Sequence, residues 1–181
     1  MFLVTTTFEK AHGKVPGSRL VLHSLEGGFR EGLRSRLASA GVDPARLSFV
    51  GKVNQCDYLD AYQRIDIALD PFPYNGGTTT CDALWMGVPV VALAGDWAMG
   101  RAGLSILSNA GLPELVARDE EEYLRIAVTL ASDHPRLAEL RRTLRAKMLA
   151  SPLMDGPRFA HDMEMLYRQM WREYVERVRA V

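Results

Sequence analysis

The sequence predicts an α/β fold, a parallel sheet flanked by helices that ends in several further helices. Three observations predict it. Short apolar runs rich in β-branched residues alternate with longer segments of helical period, as in a sheet whose crossovers are helices. One of those runs, IDIALD (Ile65 to Asp70), is apolar enough to be buried on both faces, which is a property of parallel strands. Beyond Ala117 only the helical period remains. A chain of 181 residues suits one domain that buries a substantial core.

Each element has its own signal. RLVLHS (Arg19 to Ser24) follows the turn residues Pro16-Gly17 and reads as a strand. Phe29 to Ala40 sets Leu33, Leu37 and Ala40 at helical spacing and stops at Gly41, a C′ glycine. RLSFVG (Arg46 to Gly51) is the second strand, Asp57 to Arg64 a short helix, and Ile65 to Asp70 the third strand. Thr78 to Met86 is helical, Val88 to Leu93 is the fourth strand, and Ala102 to Ala110 is a helix closed by Gly111. Glu114 to Ala117 adds a last short strand. Helices follow over Glu120 to Ala131, Pro135 to Leu149 and Arg158 to about Arg179. There is no internal repeat and no low-complexity linker.

Composition narrows the function. Lys plus Arg and Asp plus Glu number 22 each, for a formal charge of zero. With no basic run, the sequence predicts no nucleic-acid partner and no anionic membrane. Cys56 and Cys81 form no CxxC and no Cys/His spacing of the zinc type, so a metal site is not expected and a reducing, cytoplasmic compartment is. The start, MFLVTTTFEKAHGK, has too short an apolar run for a signal peptide, and no stretch approaches a membrane span.

One stretch carries chemistry. YNGGTTTCD joins the C-terminal end of a central strand to the start of a helix, the edge at which open α/β sheets bind ligands. Gly76 and Gly77 offer positive φ and close backbone approach, and Thr78, Thr79 and Thr80 set hydroxyls beside the unpaired N–H groups of the first turn. Such a helix start suits a phosphate or diphosphate, and Asp82 in the same turn suits ribose hydroxyls. The same residues also fit an empty turn: Asn-Gly-Gly is ordinary turn chemistry, Thr caps helices, and Asp complements the dipole. The residues alone leave both readings open. A P-loop (GxxxxGK followed by Ser or Thr) and a dinucleotide GxGxxG are absent.

The run DIALDPFPYNGGTTTCDALWMGVPVVALAGD, followed by RAGLSIL, AGLPELVA, SPLMDGPRFA and YRQMW, resembles the C-terminal half of the catalytic region of the O-GlcNAc transferase family. That family includes the Spindly-type protein O-fucosyltransferases and many bacterial proteins with tetratricopeptide repeats. The resemblance runs from about Val15 to Tyr174. It implies a glycosyltransferase B architecture of which residues 15–181 are the Rossmann-like, nucleotide-sugar-binding half with C-terminal helices. Residues 1–14 stand apart as atypical or truncated, because they lack the family's FxxFNxxxK strand and loop; Lys10 and Lys14 do not inherit the role of its phosphate-neutralising lysine.

Carried over by position, the resemblance places Gly77, Thr78 and Thr79 at the diphosphate with Thr80 beside them, and Asp82 near the ribose. It places Val53 at the base edge, Gln55 near the ribose, and Tyr58 where many members stack a His on the base. Asp96 and Arg101 match the GD and R of the loop after the fourth strand, with Gly100 replacing a usual Ser. Gly77 stands where O-GlcNAc transferases often have a His.

The implied function is donor binding in an inverting transfer of N-acetylglucosamine from UDP-GlcNAc to Ser or Thr of proteins, without metal or other cofactor. FPY and SPLMDGPRFA also resemble the fucosyltransferase branch, whose donor is a GDP-sugar. Acceptor-side histidines belong to the other half of the architecture, so this chain is expected to hold no catalytic residue and to be incomplete for catalysis alone. The alternative is a non-catalytic nucleotide or nucleotide-sugar binding module.

His12, His23, His134 and His161 are scattered and read as ordinary structural residues, with a cleft-facing position as the lesser alternative for His23, at a strand end. Trp85 and Met86 read as core. Phe159, Met163, Leu166, Tyr167, Met170, Trp171 and Tyr174 repeat at helical spacing. The stripe reads first as a packing face, with a membrane or partner face as the alternative; the resemblance returns that last helix toward the other half of the architecture, and where the stripe is left exposed it is expected to drive self-association.

Overall fold

A computed structural model describes residues 2–179, without the side chains of 2–4. Residues 180–181, included in the predicted domain, lie outside the described residues. Five strands, β1 (Leu20–His23), β2 (Leu47–Val50), β3 (Ala68–Leu69), β4 (Val90–Leu93) and β5 (Val116–Ala117), alternate with helices α2 (Gly28–Ser39), α3 (Gln55–Ala61), α4 (Thr78–Trp85), α5 (Ala102–Asn109) and α6 (Glu120–Ser132). Helix α1 (Phe2–Ala11) precedes them, and α7 (His134–Leu149) and α8 (Gly156–Arg179) close the chain.

All pairings are parallel, in two ladders rather than the one expected. β1 pairs with β2, Leu20 opposite Leu47 and His23 opposite Val50. In the second, β4 lies between β3 and β5, with Ala68 opposite Val90 and Ala92 opposite Val116. Leu69 of β3 packs against the cores of both ladders.

The strand buried on both faces is β4, and this corrects the sequence reading of Ile65 to Asp70. Every residue of β4 is buried, whereas Ala68 and Leu69 are half-buried. The reason is position: β3 edges its ladder, while β4 has a strand on each side and touches α5 and α6. Leu84, Leu107, Leu112, Leu144 and Tyr123 are fully buried around it. Each such side chain contributes roughly 1.5–3 kcal/mol by leaving water.

Residues 2–11 form α1 and join the smaller core. Phe8 is buried with Leu20, Leu22, Leu33 and Leu37. Glu9 pairs with Arg36 at 2.9 Å, and Arg46 donates to the carbonyls of His12 and Ser18. Lys10 lies 3.7 Å from Glu120 in an exposed pair.

The helix stops follow the sequence: Gly41 (φ +83°) and Gly111 (φ +73°) take the left-handed conformation that ends α2 and α5. Within each ladder the parallel strands send their C-terminal ends to one edge. The loops that leave that edge build the site.

Candidate functional site

The start of α4 has no side-chain cap, as is also true of α2 and α5, while three other helices are capped. Asn54, Asp119 and Asp133 cap α3, α6 and α7, each accepting a backbone N–H through its side chain. Gly77 begins α4 with no side-chain cap. Among the described residues nothing accepts from the N–H groups of Gly77, Thr78 and Thr79, while those of Thr80 and Cys81 both turn back to the Gly77 carbonyl. Gly77, Thr78 and Thr79 are exposed. Three unpaired N–H donors and two exposed threonine side chains therefore lie at the positive end of a helix dipole, a chemistry suited to an anion.

The glycines act differently from the sequence expectation. Neither has positive φ, and Gly77 sits at φ −110°, ψ −87°. Gly76 is needed for close approach instead. A Cβ there would lie 2.7 Å from Thr80 Oγ1, 2.8 Å from Thr79 Oγ1 and 3.0 Å from Asp70 Oδ1.

Thr80 turns inward. It is buried, and its hydroxyl donates to Asp70 Oδ1 at 3.3 Å, as the Gly76 N–H does at 2.8 Å. Asp70 at the end of β3 thus clasps the loop from beneath. Burial pushes its carboxyl up to about 6, against the smaller lowering effects of the Gly76 and Thr80 hydrogen bonds.

Asp82, on the next turn of α4, is half-buried and accepts from the Tyr58 hydroxyl of α3 at 3.0 Å. With the Tyr58 proton on Asp82, the Tyr62 hydroxyl donates to the Tyr58 oxygen at 2.7 Å, and the Thr79 carbonyl 3.3 Å away is its alternative acceptor. The rings of Tyr58 and Tyr62 meet edge to face, and His23, at the end of β1, meets Tyr58 the same way. Burial first, then the Tyr62 and Asp82 hydrogen bonds, raises the Tyr58 phenol far above its ordinary value. This chain of contacts joins the loop edges of the two ladders. Val53 and Gln55 flank it, both exposed, on the loop after β2 and the first turn of α3.

The loop after β4 is bound to the glycine loop. Asn75 donates its N–H to the Met99 carbonyl at 3.2 Å, and Gly95 donates to the Gly100 carbonyl at 2.7 Å. A Cβ on Gly100 would come within 3.1 Å of the Pro73 carbonyl oxygen and 3.3 Å of Trp97 Nε1, which accounts for a glycine at that buried position. Arg101 is exposed and donates to the Gly95 carbonyl at 3.0 Å; Asp96 is exposed beside it.

The structure therefore brings Gly76, Gly77, Thr78, Thr79, Thr80, Asp82 and Tyr58 together, and ties the loop of Asp96 and Arg101 to them. No hydrogen bond among the described residues links Val53 or Gln55 to the glycine loop. Sequence reasoning missed Asp70, Asn75 and Tyr62. An acidic residue ending an apolar strand just before NGGTTT was the available signal for Asp70.

Comparison with known proteins settles the family. The sequence model of Glycosyl transferase family 41 matches residues 6–163. The chain belongs to that family. A probable UDP-N-acetylglucosamine–peptide N-acetylglucosaminyltransferase SPINDLY of Petunia hybrida is 43% identical over 166 residues, covering 90% of this chain and 18% of that protein. The UDP-N-acetylglucosamine–peptide N-acetylglucosaminyltransferase of Caenorhabditis elegans is 36% identical over 160 residues, 88% of this chain and 14% of that one. Among solved structures, a mutant O-GlcNAc transferase of Thermobaculum terrenum superposes with a TM-score of 0.87 at 40% identity, over 94% of this chain and 33% of that one. The fold is thus the one the resemblance implied, a Rossmann-like half of a glycosyltransferase B architecture. The chain spans less than a fifth of the curated relatives' length. Among the described residues no helix is long and apolar enough to cross a membrane.

Proposed function

We propose that this family 41 chain is the donor-binding half of a protein O-glycosyltransferase that transfers N-acetylglucosamine from UDP-GlcNAc to Ser or Thr. The observation that carries the reading is the uncapped start of α4, with three unpaired N–H donors and two exposed threonine side chains at the C-terminal edge of a parallel sheet. Gly77, Thr78 and Thr79 hold the diphosphate, with Gly76 and Thr80 shaping the loop. Asp82 and Gln55 face the ribose, Val53 and Tyr58 the base, and Asp96 and Arg101 border the sugar side. The names of the relatives support UDP-GlcNAc as donor.

Glycosyl transfer needs the leaving nucleoside diphosphate stabilised and an acceptor hydroxyl held at the anomeric carbon. This chain performs the first task through backbone N–H groups and hydroxyls, without metal or other cofactor. The second belongs to an acceptor-side half across the cleft, so the chain binds donor without turnover in a cytoplasmic setting. Isothermal titration with UDP, UDP-GlcNAc and GDP in buffer containing EDTA tests the reading. Saturable UDP and UDP-GlcNAc binding, lost in Thr78→Val/Thr79→Val while the fold persists, is the expected result. Preference for GDP would move the chain to a guanosine donor, and no effect of the threonine changes would remove the diphosphate assignment.

A further inference from the structure

The donor reading leaves the Asp70 carboxylate without a task, although it is the most confined charged group beneath the loop. Asp70 is 3% exposed. Its main chain is fixed on both sides, the N–H donating to the Val91 carbonyl and the carbonyl accepting from the Tyr123 hydroxyl, each at 2.9 Å. Oδ1 takes the Gly76 N–H and the Thr80 hydroxyl, which turns those two donors inward and leaves the N–H donors of Gly77, Thr78 and Thr79 unpaired.

Oδ2 is buried with no hydrogen-bond partner among the described residues. It points toward α5, 2.6 Å from where a Cβ on Gly103 would lie. None of the ion pairs among the described residues includes Asp70. The ionisable groups on the surrounding elements offer no positive partner. Tyr123 of α6 is a phenol, Asp82 of α4 is an acid held by Tyr58, Cys81 is a thiol, and Arg101 is engaged by the Gly95 carbonyl. Asp70 Oδ1 and Thr79 Oγ1 both lie within 3.0 Å of a single point, the Cβ position excluded at Gly76. A diphosphate on the Thr79 side of that point sits one side-chain contact away from a buried negative charge.

We propose that Asp70 is a positioning residue of the donor site and that its carboxyl takes up a proton when a nucleotide sugar binds. The inference rests on the donor-binding reading. The proton comes from a buffer acid and adds to Oδ2, the oxygen with no donor, while Oδ1 keeps the Gly76 and Thr80 hydrogen bonds that shape the loop. Burial has already raised the carboxyl in the free chain, so the added negative charge of the diphosphate moves it past neutrality.

The test is calorimetric titration of the chain with UDP-GlcNAc, whose diphosphate has no group titrating near neutrality, in two buffers of different ionisation enthalpy at about pH 7. Linkage predicts uptake of roughly half to one proton, and an affinity that falls about five- to tenfold between about pH 6 and 8. Asp70→Asn keeps an oxygen for Gly76 and Thr80, so it binds with no proton uptake and a flat pH profile. Asp70→Ala, with no acceptor for either donor, loses about tenfold or more in affinity, the scale of a lost charge-assisted hydrogen bond. Wild-type binding without buffer dependence, or equal uptake in Asp70→Asn, would overturn the role of Asp70 and leave the donor reading intact. No saturable binding by the wild type would overturn both.

Discussion

The Tyr58 hydroxyl donates to the Asp82 carboxylate at 3.0 Å and so ties α3 to the first turns of α4 across the loop edge. Tyr58→Phe keeps the ring against His23 and Tyr62 but removes this donor. The change removes both the bond to Asp82 and the one shared with Tyr62, so the expected cost is about 1–3 kcal/mol in urea unfolding. If Asp82 holds the ribose as proposed, UDP affinity falls as well, because its carboxylate loses the contact from Tyr58. A variant with unchanged UDP affinity would remove Asp82 and Tyr58 from the binding surface.

Gly76 and Gly77 are adjacent and chemically identical, yet the structure separates them. A Cβ on Gly76 meets three oxygens at 2.7 to 3.0 Å, while one on Gly77 meets nothing within 4 Å. Overpacking of this kind costs about 1–3 kcal/mol. Gly76→Ala is therefore expected to lower the unfolding midpoint and weaken nucleotide binding, and Gly77→Ala to leave stability nearly unchanged. Equal destabilisation by both would contradict the packing described for Gly76.

Much of this was legible in the sequence, for reasons that also explain what was not. The alternation of β-branched runs and helical periods located β1, β2 and β4, because burial imposes that pattern directly. NGGTTT and Asp82 stood out because a glycine-threonine loop that opens a helix after a β-strand has an anion-binding chemistry, although that strand, β3, lies at the edge of its ladder and not at its centre. The inward turn of Thr80 was not, since three consecutive threonines look alike until Asp70 selects one of them. The two-ladder pairing and the incomplete burial of Ile65 to Leu69 depend on which strand lies at an edge, and composition does not record that. Helix α1 was missed because MFLVTTTFEK has β-branched residues at helical positions; packing of Phe8 and the Arg36 and Arg46 contacts outweigh the weak intrinsic propensity.

Asp70 also makes stability depend on pH. Its folded carboxyl is raised from 3.8 to about 6, so it contributes stability that is complete below the unfolded value and is lost as pH rises through about 6. The shift corresponds to roughly 3 kcal/mol between the two protonation states. Asp70→Asn carries no charge to desolvate. Measured by urea unfolding at about pH 5 and about pH 8, the variant gains on the wild type by roughly 1.4 kcal/mol at the higher pH, because part of the roughly 3 kcal/mol is already lost between the unfolded value and pH 5. A difference that is the same at both pH values would mean that Asp70 is not raised in the folded chain.

Helix α8 presents an apolar face that nothing among the described residues covers. Phe159, Leu166, Met170, Trp171 and Tyr174 are all more than half exposed, and no residue of the helix is buried. Its other residues pair along the helix, Arg158 with Asp162 and Glu164 with Arg168, which leaves that face as a continuous stripe. Contiguous apolar surface of this kind drives association in water. Among the possible covers, a second copy of the chain is available in any purified sample, and the two stripes are self-complementary when antiparallel. Sedimentation velocity is therefore expected to show a mass that rises with concentration in the micromolar range. Leu166→Asp/Met170→Asp, which places two like charges at the centre of the stripe, should return it to a monomer without loss of helix, because both positions are exposed in the folded chain. A wild-type monomer at every concentration would show that this face does not bind its own copy.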